Sequence, residues 1–146
     1  MKAFGYLIAS AVLLTGAVAQ LKSPAPNTSL GNGWRYKGCY SDTLSTSTIL
    51  PHALNGSLTH INPNGGALCT QTCRGQGFKY AGTNDNQCWC GNVINPSNSV
   101  TAGILSPLGD IACQTSCRGN LPEACGAIDT FISIYEYTNQ PLWNIM

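Results

Sequence analysis

Eight cysteines restrict this chain more than any other feature: Cys39, Cys69, Cys73, Cys88, Cys90, Cys113, Cys117 and Cys125. An even count in an exported chain reads as a disulfide framework. Cys88-x-Cys90 and Cys69-x-x-x-Cys73 could also hold zinc, but an oxidising compartment favours four disulfides, with no metal or other cofactor. Cross-links also suit the length. A single domain of this size buries only about two-thirds of its unfolded surface, so covalent bracing helps.

The N-terminus predicts that oxidising compartment. Lys2 supplies a positive start, residues 4–18 are apolar apart from Gly, Ser and Thr, and Ala17-Val18-Ala19 is an A-x-A cleavage site. The stretch is short for a membrane span and ends in small residues rather than a stop-transfer cluster. Residues 1–19 are therefore expected to be a signal peptide, with Gln20 first in the mature protein. No later segment reads as a span, and the end (Gln140-Pro141-Leu142-Trp143) lacks a lipid-anchor tail. The expected product is secreted, extracellular or attached to a cell wall, and a monomer.

Charged residues make up 9% of the sequence, where about a quarter is usual. No basic stripe for nucleic acid and no cationic amphipathic helix for a membrane stands out. Asn27-Thr28-Ser29 and Asn55-Gly56-Ser57 are sequons, making Asn27 and Asn55 candidate glycosylation sites, while Pro96 spoils a third at Asn95.

The chain divides into a leader at 20–33, a domain at 34–138 and a tail at 139–146. The leader is rich in Pro, Asn, Ser and Gly and should be extended or mobile. Residues 34–40 alternate as a strand does, and residues 41–65 read mostly as loop. Cys69-Thr-Gln-Thr-Cys73-Arg-Gly is echoed by Cys113-Gln-Thr-Ser-Cys117-Arg-Gly. Each predicts a short helix with both cysteines on one face, Arg in the last turn, and Gly75 or Gly119 as its stop. Asp110 is the expected N-cap of the second. Between them, residues 78–82 and 87–91 should form a hairpin around Asn84-Asp85-Asn86. Residues 130–137 (Thr-Phe-Ile-Ser-Ile-Tyr-Glu-Tyr) are the strongest strand, with either the isoleucines or the tyrosines facing the core.

Eight cysteines allow about a hundred pairings, which local geometry narrows. Cys88 and Cys90 share a strand face, and Cys69 and Cys73 share a helix face. A helix packed across the hairpin then gives either 69–90 with 73–88 or the crossed alternative. Cys117 and Cys125 close a short Gly-Asn-Leu-Pro loop, which leaves Cys39 for Cys113.

At these residues a family resemblance emerges. Tyr36-Lys-Gly-Cys-Tyr-Ser-Asp42, the Cys-x-x-x-Cys segments, Gly77-Phe-Lys-Tyr-Ala-Gly82, Gln87-Cys-Trp-Cys-Gly-Asn92 and Glu123-Ala-Cys-Gly126 resemble the WSC domain of fungal cell-wall proteins. The similarity covers residues 34–137. It implies a small α+β fold like the PAN/apple module, a sheet carrying a stapled helix, and binding of wall polysaccharide such as β-glucan. Sensor members add a Ser/Thr-rich stalk, a span and a cytoplasmic tail, and enzyme-linked members add a catalytic domain. Neither addition is present in this sequence, which argues against a sensor.

A sugar ring stacks its apolar face on an aromatic side chain while its hydroxyls take amides and carboxylates. Trp89 is the first candidate, because alternation sends it to the face opposite Cys88 and Cys90; whether a second layer covers it stays open. Asn84, Asp85, Asn86 and Gln87 in the turn and Asn92 beyond would supply polar partners. Tyr80 could share that surface, and Tyr80 and Tyr40 are the alternatives should Trp89 be core. His52 and His60 read as solvated loop residues. Asp42, Asp85, Asp110, Glu123, Asp129 and Glu136 fall at turns, helix ends and a strand tip, where caps and turns account for most of them. No catalytic motif stands out, so a hydrolase ranks below an effector- or inhibitor-type protein-interaction domain as the alternative to sugar binding.

Overall fold

The computed structural model describes residues 21–43, 51–95, 98, 100–127 and 130–138. The expected signal peptide and C-terminal tail lie outside the described residues, as does Asp129. The described chain is α+β. Strands β1 (Trp34–Ser41), β2 (Ser57–His60), β3 (Tyr80–Asn84), β4 (Gln87–Gly91) and β7 (Phe131–Tyr137) form one antiparallel sheet in the order β1-β7-β3-β4-β2. A second, two-stranded sheet pairs β5 (Thr115–Cys117) with β6 (Asn120–Cys125). Helix α1 (Gly66–Gly75) packs on the large sheet against β3 and β4.

The hairpin forms where expected, with Asn84 opposite Gln87 and a two-residue Asp85-Asn86 turn. Asp85 takes a left-handed φ of 37°, a conformation that Asp tolerates better than most residues. Four disulfides close the fold: 39–113, 69–88, 73–90 and 117–125. Of the two arrangements open for the helix and hairpin, α1 runs in the same direction as β4. Four helical residues advance about 6 Å and two strand residues about 6.6 Å. The two bridges therefore fit side by side.

Helix α1 has no side-chain cap on its own chain segment. Glu123 reaches in from β6 instead, its Oε1 accepting the Gly66 N–H at 2.6 Å, where the helix dipole favours an anion. Burial nevertheless raises the Glu123 carboxyl above its ordinary range, against the opposing pull of the Gly66 and Asn120 hydrogen bonds. The helix stop differs from expectation. Gly75 is still helical, and the left-handed residue is Gly77 at φ 83°, with the Phe78 N–H returning to the Cys73 carbonyl.

The echo of this helix does not form a helix. Residues 109–112 make one 3-10 turn, and residues 115–117 are strand, so Asp110 caps nothing. Cys113 bridges to β1 and Cys117 to β6, two different directions that one helix face cannot serve. Arg118-Gly119 turns the chain into β6, with Gly119 at φ 76°.

The large sheet is covered on both faces. On one lie Cys69, Cys73, Cys88, Cys90, Ala81, Trp34 and Tyr135. On the other lie Ala53, Leu54, Trp89, Ile132 and Ile134. Interior strand β7 thus buries its isoleucines on one side and Tyr135 on the other, rather than one set alone. The leader packs down: Ala25 and Leu30 are buried, the Ala25 N–H donates to the Tyr135 hydroxyl at 2.9 Å, and Ser23 bridges to Glu123. A Cβ on Gly66 would press on both Ala25 and the Tyr135 ring, so two small residues let the leader lie close. In the stretch read as loop, residues 44–50 are outside the described residues, and the rest contributes β2 and the buried pair Ala53-Leu54.

Candidate functional site

Trp89 lies on the face opposite the cysteines, as alternation requires, but it does not face solvent. It is 2% exposed, because residues 52–54 fold over it. Its ring stacks on His52 at 4.2 Å between centroids, and its Nε1–H donates to Gln87 Oε1 at 3.1 Å. His52 is thereby corrected from a solvated loop residue to a buried one, whereas His60 is exposed. Asp42 ties the covering loop down. One carboxylate oxygen lies 3.1 Å from His52 Nδ1 and accepts the Ala53 N–H at 3.0 Å. Burial raises the Asp42 carboxyl above its ordinary range even against these partners.

The turn residues do not gather into an open polar site either. Asn84 and Gln87 are buried. Asp85 takes two hydrogen bonds from the Arg118 guanidinium, and the Asn86 carbonyl accepts the Ile61 N–H. Asn64 clamps the turn from beneath by donating to the Asp85 and Gln87 carbonyls. This end of the hairpin is structural.

The opposite end of the hairpin is open. Tyr80 pairs with Gly91 on β4 and with Glu136 on β7, and Tyr40 pairs with Ile132 on β7. Direct partners share a face, so Tyr40, Tyr80, Glu136 and both isoleucines lie on the same side of the sheet. Tyr40 and Tyr80 are partly exposed and pack against the buried Trp89 cluster. The Tyr40 ring leans along its strand over Gly38, where a Cβ would approach it at 3.5 Å. That lean carries it toward Glu136 and Tyr80. Burial raises the Tyr40 hydroxyl, with the nearby Lys37 charge pulling the other way and Tyr80 and Glu136 adding to the rise.

Charge collects at the same end. Glu136 meets Lys37 Nζ at 2.9 Å, Lys79 Nζ at 3.8 Å and Arg35 at 3.9 Å. Burial opposes its charge, but the Lys37 hydrogen bond and the surrounding cations outweigh it and hold the carboxyl below its usual range. Lys79 Nζ stands 5.2 Å from the Tyr80 ring centre, and its backbone N–H donates to exposed Asn92 at 3.0 Å. Two tyrosine faces with a carboxylate, two ammonium groups and an amide beside them can stack on a sugar ring and bond its hydroxyls.

Residues 36–127 match the sequence model of the WSC domain. This chain belongs to the WSC domain family. A WSC domain-containing protein of Arthroderma benhamiae is 30% identical over 81 residues, which cover 55% of this chain and 8% of that protein. The chain thus spans less than a tenth of that relative's length. WSC domains are generally carbohydrate-binding and associated with cell walls.

Within this WSC domain, only Tyr80 and Asn92 of the expected sugar-contacting residues meet at one open surface. Sequence reasoning missed Lys37, Lys79 and Glu136. The signal for them was register: Glu136 opposite both Arg35 and Tyr80 places a carboxylate among basic residues of two neighbouring strands. Each carboxylate among the described residues has a structural partner. Asp110 accepts the Tyr36 hydroxyl at 2.8 Å, Glu123 caps α1, and the other three are placed above. The sequon residues Asn27 and Asn55 are both exposed. Among the described residues no helix is long and apolar enough to cross a membrane.

Proposed function

We propose that this WSC domain is a secreted module that attaches to neutral cell-wall polysaccharide through the Tyr40–Tyr80 face. The observation that carries this reading is the pair of partly exposed tyrosines on one side of the sheet, flanked by Glu136, Lys37, Lys79 and Asn92. A stacked aromatic contributes about 1 kcal/mol beyond its buried area, so one face binds one sugar segment weakly. A repetitive polymer offers many adjacent segments and raises the effective affinity without new contacts. The A-x-A site at residues 17–19 and the four disulfides support export, and exposed Asn27 and Asn55 are the proposed glycan carriers. The partners of all five described carboxylates support binding rather than hydrolysis.

A protein partner is the second reading, and one feature favours it. Ile104, Leu105, Leu108 and Ile111 stand 45%, 57%, 67% and 66% exposed along one short segment beside β1. Sedimentation with insoluble β-glucan, chitin and cellulose separates the two. Depletion from the supernatant by at least one polymer is expected. Depletion by none of them contradicts the proposal, and sugar released over time would turn it into a hydrolase.

A further inference from the structure

We propose that a second face of the domain, the groove between the leader and α1, binds an acidic sugar, a uronic acid unit of a polysaccharide. The groove has a volume of about 420 Å³, within the usual range for small-ligand sites, and lies on the helix side of the sheet, away from Tyr40 and Tyr80. One wall includes Asn32 of the leader and Trp34 at the start of β1, and the helix wall includes Ala67, Leu68, Gln71 and Arg74.

The lining chemistry selects the ligand. Among the described residues no carboxylate lines the groove. The Asn32 and Gln71 side chains have no hydrogen-bond partner among the described residues, and Arg74 has no acidic partner among them. The Arg74 guanidinium carbon stands over the Tyr137 ring, 4.0 Å from its centre, and Tyr137 in turn packs on Trp34 at 5.5 Å. A guanidinium placed over an aromatic ring with no acidic partner has N–H donors available, and its fork fits a carboxylate with two parallel bonds. Trp34 is only 6% exposed, so it forms floor and cannot serve as a stacking platform for a neutral ring. Recognition therefore falls to Arg74 for a carboxylate and to Asn32 and Gln71 for hydroxyls, with Ala67 and Leu68 against the apolar sugar face.

Titration of the whole secreted protein with a hexamer of galacturonic acid tests this, beside a neutral β-1,3-glucan hexamer as control. The parent should bind the uronate, more weakly as salt rises. Arg74→Gln should lower that affinity about tenfold or more and leave the neutral ligand unaffected. Should Arg74→Gln unfold the domain, the Asn32→Ala/Gln71→Ala variant, changed at exposed positions, must weaken uronate binding instead. Uronate binding absent in the parent, or equal in the folded variants, overturns the proposal. Loss of neutral binding alone would count against the Tyr40–Tyr80 face and leave this site standing.

Discussion

Replacing Trp89 with Ala separates a core tryptophan from a binding one. The side chain is 2% exposed and sits among Ala53, Leu54, Ile132 and Ile134, with His52 stacked on its ring. Removing a buried tryptophan costs about 3–5 kcal/mol through lost transfer energy and the cavity left behind. Two further losses push toward the upper end: buried Gln87 Oε1 loses its N–H donor, and His52 loses its ring contact. A domain of this size shifts in Tm by about 3–5 °C per kcal/mol, so a drop of roughly 12–20 °C is expected. Trp89→Phe keeps a ring on His52 but loses the indole N–H, and should cost about half as much. Thermal unfolding followed by near- and far-ultraviolet circular dichroism on disulfide-intact protein reads both. If Trp89→Ala melts within about 3 °C of the parent, the ring is not core and the placement of residues 52–54 over it is wrong.

Two other perturbations test the framework. Removing the 73–90 bridge in a Cys73→Ala/Cys90→Ala double variant should destabilise the domain by about 2–4 kcal/mol, measured by urea unfolding, while non-reducing peptide maps still show 69–88. Acidity should act in two directions. Asp42 and Glu123 have raised carboxyls, so their contribution is present below their ordinary values (3.8 and 4.5) and is lost as pH rises through the higher folded ones. Glu136 is lowered, so its contribution is present above 4.5 and lost as pH falls through its folded value. The Asp42 and Glu123 contributions should therefore grow as pH falls toward their ordinary values, the Glu136 contribution should be lost below 4.5, and Glu123→Gln should flatten the rising limb; an unchanged Tm profile in that variant contradicts the burial argument.

Local geometry was legible where two periodicities had to agree. Cysteines four apart on a helix and two apart on a strand can be joined twice only when the elements lie alongside, and both bridges are there. The same spacing misled at Cys113 and Cys117. Helix α1 packs on β3 and β4 and has Glu123 at its N-terminus, while the two bridges of the second copy pull in different directions, toward β1 and β6. Trp89 shows a different limit. Alternation places a side chain on a face, but which segment covers that face depends on contacts distant in sequence, here Asp42 fastening residues 52–54. The leader was read from composition alone as extended or mobile. Its packing rests on Ala25 meeting Gly66 and Tyr135, a contact spanning 110 residues in the case of Tyr135. Tyr80 and Tyr40 were visible as alternatives, but their grouping with Glu136 required the strand order β1-β7-β3.

The most direct test of the account is the depletion of a Tyr40→Ala/Tyr80→Ala variant by the insoluble polysaccharide that best retains the parent. Both rings are partly exposed, so the variant should keep its four disulfides and a cooperative thermal transition. Loss of two stacking faces worth about 1 kcal/mol each, multiplied along a repetitive polymer, should leave the variant in the supernatant. Sedimentation of the folded variant to the same extent as the parent would contradict the assignment of attachment to this face.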